Sequence, residues 1–92
     1  MTKIVIKKLV WDKHNLEHIA KHNVTVDEAQ EAIRNFIAHK IAKKGRYLAI
    51  GRSGSRLISL VVGRISTGVY YPVSVRDSSK KERKEIYEKE KI

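Results

Sequence analysis

The sequence predicts a small α+β domain spanning residues 1–92, with two N-terminal helices and one C-terminal helix packed on a twisted antiparallel sheet of 3–5 strands. Three observations carry that prediction. Helical spacing of apolar residues, broken by cap residues, fills the first part of the chain. From about Ala38 to Arg76 the spacing changes to strand-like alternation. A new helix-start pattern at Ser79 then opens a charged C-terminal stretch.

Taken in order, Ile4, Val5, Ile6, Leu9, Val10 and Trp11 predict a first short strand. Asp12 stands as an N-cap, and Leu16, Ile19 and Ala20 share one face of the helix that follows. His14, His18, Lys21 and His22 share the other face, and Asn23 suits the left-handed conformation that ends helices. Thr25-Val26-Asp27-Glu28 is a capping box, and Val26, Ala29, Ile33, Phe36 and Ile37 form the apolar stripe of a second helix. His39 to Lys43, Arg46 to Arg52, Arg56 to Arg64 and Val69 to Val75 read as strands. The turns between them fall at Lys44-Gly45, Ser53-Gly54-Ser55 and Ser66-Thr67-Gly68, and Pro72 marks a bulge or an edge position. Alternation in the last strand groups Val69, Tyr71, Val73 and Val75 on one face, with Tyr70, Ser74 and Arg76 on the other. Asp77 to Lys91 reads as a final helix with a thin apolar side, essentially Ile86 and Tyr87, and Ser79 to Glu82 as its capping box. The helices are expected to cover one sheet face and leave the other open.

Composition narrows the function. The formal charge is +10, with 20 basic and 10 acidic residues, and such a surplus favours phosphate-rich partners. The stretch from Ala38 to Arg76 holds eight of those cations (Lys40, Lys43, Lys44, Arg46, Arg52, Arg56, Arg64 and Arg76) and no acid. A sheet charged with one sign reads as the floor of a nucleic-acid-binding surface. The absence of cysteine excludes disulfides and thiolate metal sites and is compatible with a reducing cytosol. No apolar run has the ~20 residues of a membrane span or resembles a signal peptide, so a cytoplasmic chain without membrane contact is expected.

Within that surface, Arg52 and Arg76 stand out because each ends a strand beside a turn or helix start. There a planar guanidinium can grip a phosphate and stabilise its transition state. Arg52 has the parity of Leu48 and Ile50, so it either emerges at the strand end or follows a bulge. Arg76 has a plainer alternative, as the anchor of the last helix through Glu82 or Glu85. Arg46, Arg56 and Arg64 are candidates for phosphate contacts, and Tyr70 and Tyr87 for base stacking, with packing the competing role for each tyrosine. Lys21 and His22, at the expected end of the first helix, are candidates for proton transfer at an RNA site. The histidine face has two other readings, as solvated helix surface or as a metal site built on imidazoles at i and i+4. Metal-free RNA cleavage needs no carboxylate pair, nucleophilic triad or cofactor, since the ribose 2′-OH is the nucleophile.

These residues, in this order, resemble a known family. Trp11-Asp12, Lys21-His22 and Val24-Thr25-Val26-Asp27-Glu28-Ala29 are similar to the opening of the BrnT family, roughly WD…KHGVSFEEA. Tyr47-Leu48-Ala49-Ile50-Gly51-Arg52 with Arg56-Leu57-Ile58 is similar to its "IGR…GRLL" strands. Val73-Ser74-Val75-Arg76, Glu82-Arg83 and Tyr87 are similar to its "SAR…ERR…Y" ending. Asn23 stands where the family has Gly, and His18 where an Asn is usual. The resemblance implies a RelE-like fold and a ribonuclease toxin of a type II toxin–antitoxin system, with Arg83 and Tyr87 as supporting or substrate-binding residues. It implies RNA as substrate and, as partner, a small DNA-binding antitoxin that covers the toxin in a hetero-oligomer; a homodimer is a further possibility. The competing class is a catalytically silent basic domain that binds nucleic acid or an antitoxin.

Overall fold

Local caps set both N-terminal helices. The Asp12 carboxylate accepts from the Asn15 N–H at 3.0 Å while the Asn15 side-chain oxygen accepts from the Asp12 N–H at 2.8 Å, which starts α1 at Lys13–Lys21. Asn15 is buried and its amide donates to the carbonyls of Val10 and Pro72, so the cap also ties α1 to the sheet. Asn23 ends the turn at φ +56°, as expected from its type. Thr25 and Glu28 exchange the reciprocal bonds of the second capping box at 3.0 and 3.1 Å and start α2 at Val26–Arg34.

The computed structural model describes residues 4–90, so the outer ends of the predicted domain and the predicted helix end at Lys91 lie outside the described residues. The elements run β1 (Lys8–Leu9), α1, α2, β2 (Phe36–Ile41), β3 (Tyr47–Ser53), β4 (Arg56–Ser66), β5 (Val69–Asp77) and α3 (Lys80–Glu90). The five strands form one sheet in the order β1-β5-β4-β3-β2. The β2 to β5 strands are antiparallel, and β1 adds a short parallel edge to β5, so the sheet is mixed. Phe36 and Ile37, read as the end of the second helix stripe, belong to β2. The helix stops at Arg34 with Asn35 as its C-cap, and the Asn35 amide donates to the Arg52 carbonyl across the β2–β3 edge.

The α1 and α2 helices cover one face, where Ile19, Val24, Ala29 and Ala32 meet Ile58, Leu60, Val62 and Val75 in the main core. At its closest, α2 approaches β3 at Gly51, where an added Cβ would lie 1.7 Å from the Ala32 carbonyl oxygen. Only glycine admits that contact. A second, smaller core forms where Ile86 of α3 meets Ile50 and Leu57, flanked by Ile37, Ala38 and Leu48. Ile50 and Leu57 alternate with Ala49, which pairs with Leu60, and with Ile58 of the main core, so α3 lies on the opposite face. The expectation of one wholly open face is corrected accordingly: a helix whose single buried residue is Ile86 crosses half of it. The other half of the sheet face, carrying Arg46, Val61, Tyr71, Ser74 and Arg76, stays partly exposed.

Candidate active site

A bulge in β5 decides which side chains reach the half-open face. Val61 pairs with Ser74 and Val62 with Pro72, which leaves Val73 as an extra residue. Pro72 has no N–H for the ladder, and the pairing slips beside it. The slip reverses the sides of the upstream residues. Tyr70, expected beside Ser74 and Arg76 as a base-stacking residue, is instead 4 % exposed in the main core, edge-on to Tyr47 at 6.3 Å. Tyr71 takes its place on the half-open face, level with Gly63, and its hydroxyl lies 2.9 and 3.0 Å from the oxygens of Asp12. The Asn15 N–H foremost, with Tyr71 adding to it, holds the Asp12 carboxyl below the usual range.

Arg76 is the best-fixed cation of this face. Its Nη1 donates to Glu82 Oε1 at 2.8 Å and to the Asp77 carbonyl at 3.1 Å, and its Nη2 donates to Glu82 Oε2 at 3.1 Å. These bonds use three of the five guanidinium donors and leave Nε–H and one Nη2–H to face a ligand. Glu82 is itself fixed, because it also accepts from the Ser59 hydroxyl at 2.9 Å and from the Ser79 N–H at 2.8 Å. Ser59 is buried and lies 2.8 Å from the equally buried Ser78 hydroxyl. Arg76 above all, against a desolvation cost and with help from Ser79 and Ser59, holds the Glu82 carboxyl down to about 2. The anchoring role considered for Arg76 is therefore real, and it leaves part of the fork unused.

Beside Arg76, β5 presents Ser74, whose Oγ lies 3.4 Å from His18 Nε2 on α1. His18 in turn faces His22, with ring centroids 5.2 Å apart, as imidazoles at i and i+4 on one helix face should be. Lys21 and His22 are exposed at the C-terminal end of α1. No group of three potential metal-ligating side chains gathers among the described residues.

The other arginines separate by role. Arg52 stands on the face covered by α3 and grips the Glu90 carboxylate with both Nη atoms, at 2.6 and 2.8 Å. Strand register places its Cα roughly 12 Å from that of Arg76, two strands across and two residues along. Arg52 and Arg76 thus sit at opposite ends of α3, each held by one of that helix's carboxylates. Arg56 is spent on structure. It pairs with Asp77 through Nε, with Glu28 at 2.7 Å and with the Asn23 carbonyl at 2.9 Å, which ties β4 to the start of α2 and the end of β5. Arg64 pairs with Tyr70 across the ladder, on the α1/α2 side at the far end of the sheet, and donates to Thr67. Arg46 lies on the half-open face next to Gly63, where a Cβ would come within 4.0 Å of the Arg46 side chain. Among the described residues no carboxylate pairs with it. Arg83 donates to the Ser78 carbonyl at 2.7 Å, and Tyr87 is 51 % exposed on α3. Sequence reasoning missed Tyr71, Ser59 and the placement of His18. Only the Glu82 pairing had a local signal, its place in the capping box.

No helix among the described residues is long and apolar enough to cross a membrane. No family model matches the chain, and no curated protein matches it. Among solved structures it is similar to the crystal structure of the Brucella abortus ribonuclease toxin BrnT, at a TM-score of 0.64 and 24% identity over 79% of this chain and 97% of that one. That similarity gives this chain, with its three helices and five-stranded mixed sheet, a BrnT-like fold.

Proposed function

We propose that the chain is the toxin of a type II toxin–antitoxin system, an endoribonuclease that cleaves RNA without a metal through attack of the ribose 2′-OH. The observation that carries this reading is the fixed Arg76 fork on the half-open face, beside Ser74 and the α1 histidines, in a fold shared with a ribonuclease toxin. Arg76 would stabilise the charge that builds on the phosphate in the transition state, since preorganised donors act most strongly where charge develops. Lys21 and His22 would assist proton transfer. Arg52 would join the phosphate contacts once a ligand competes for it with Glu90, and Arg46, Arg83 and Tyr87 would line the RNA path. The partner would be a cognate small DNA-binding antitoxin in a cytoplasmic hetero-oligomer.

Induced expression of the lone chain in a bacterium, with growth and bulk RNA followed together, tests the proposal. Growth arrest with RNA cleavage is the expected result; normal growth with intact RNA refutes it. A second reading, a silent RNA-binding domain, is favoured by one observation: both Arg52 and Arg76 are already neutralised by α3 carboxylates. Tight RNA binding without cleavage would select it.

A further inference from the structure

His18 is the buried-side partner of the α1 histidines, and the sequence left its role open. The structure puts it in a defined setting. It is half-buried, its Nε2 faces Ser74 Oγ, and its ring faces His22. Ser74 precedes Arg76 by two residues on the same strand, beyond the Val73 bulge, so both emerge on the half-open face. The topology thus assembles two imidazoles, a hydroxyl and a guanidinium with unused donors along one edge of the sheet.

Resting on the ribonuclease reading above, we infer that His18 and His22 form a proton-transfer pair, with His18 a catalytic residue in its own right. Cleavage by the 2′-OH needs one proton removed and one supplied. One imidazole takes the 2′-OH proton as the oxygen bonds to phosphorus. The P–O5′ bond breaks, and the departing 5′-oxygen takes a proton from the other ring, held as imidazolium. The products are a 2′,3′-cyclic phosphate and a 5′-hydroxyl, and no other reactant is consumed. The two rings lie side by side on one helix face, 5.2 Å between centroids, so both can approach one phosphodiester laid across them from the same side, one towards the 2′-oxygen and one towards the 5′-oxygen. The Ser74 contact at 3.4 Å is long enough to yield to a substrate oxygen, as hydrogen bonds in unliganded sites commonly do.

The test is His18→Gln, assayed on RNA and on a ribonucleoside 3′-phosphate ester with a p-nitrophenolate leaving group, which departs without protonation. Binding of a non-cleavable 2′-deoxy oligonucleotide serves as the check on fold and affinity. We expect RNA cleavage to fall by roughly 10²-fold or more while oligonucleotide affinity stays within about twofold. Loss on RNA with activity kept on the aryl ester identifies His18 as the acid; loss on both identifies it as the base. Ser74→Ala, which removes only the orienting contact, should cost far less. RNA cleavage within about threefold of the parent, or equal losses of rate and affinity, overturns the pair while leaving the ribonuclease reading intact. Absence of cleavage by the parent protein removes that reading and the pair with it.

Discussion

Replacing Glu82 with Gln isolates the charge that fixes Arg76, since the amide keeps both the shape and an oxygen for the Ser79 N–H. The Glu82 carboxyl titrates at about 2 in the folded chain against an ordinary 4.5. The folded pKa is the lower one, so the unfolded chain binds more protons between those values and stability rises with pH there. The contribution is fully present above about pH 4.5 and is lost as pH falls towards 2. That difference sets a ceiling of roughly 3 kcal/mol. Glu82 is well shielded, but the Arg76 side chain is 37% exposed, so solvent screens part of the pair. The expected loss is about 2 kcal/mol at pH 7. Urea denaturation of both proteins at pH 7, 4.5 and 2.5 measures it. The gap between parent and variant should be widest at pH 7 and close progressively below pH 4.5. A gap under about 0.5 kcal/mol at pH 7, or one unchanged at pH 2.5, would show that Glu82 does not hold Arg76 electrostatically.

Arg76→Ala should lower RNA cleavage by roughly 10²-fold with a much smaller loss of affinity, and Arg76→Lys should recover affinity better than rate, because it restores the charge without the fork; single-turnover cleavage beside binding to a non-cleavable oligonucleotide separates the two effects. Arg46→Ala should flatten the salt dependence of RNA affinity by ~0.7 log units per log unit of salt if it neutralises one single-strand phosphate, and an unchanged slope removes it from the footprint. Arg56→Ala should leave that slope alone and destabilise the fold by about 2 kcal/mol, as it strips two part-exposed carboxylates of their partner. Gly51→Ala forces a methyl group against the Ala32 carbonyl. It should cost about 3 kcal/mol, or more than about 12 °C of melting temperature by calorimetry, and an unchanged melting temperature would mean that α2 is free to shift.

The sequence by itself determined whatever depends on neighbours a few positions apart. The Asp12 cap, the capping boxes Thr25–Glu28 and Ser79–Glu82, the left-handed stop at Asn23 and the turn glycines at 45, 54 and 68 are all local hydrogen-bonding or steric events, and each is where the chain implies. The uniform charge of the Ala38–Arg76 segment is equally a property of composition. Tertiary structure decided what depends on pairing between distant strands. One extra residue at Val73 exchanges Tyr70 for Tyr71 on the exposed face, because side chains alternate and a single slip inverts everything beyond it. Nothing in the order of residues says that α3 crosses to the other face, since its one buried anchor, Ile86, can dock on either. That crossing gives Arg76 to Glu82 and Arg52 to Glu90, and the folding of α1 over the β5 edge gives His18 to Ser74. A guanidinium or an imidazole acquires its partner only when the chain closes on itself, and so the candidate site was visible in the sequence as a set of residue types and became an arrangement only in the fold.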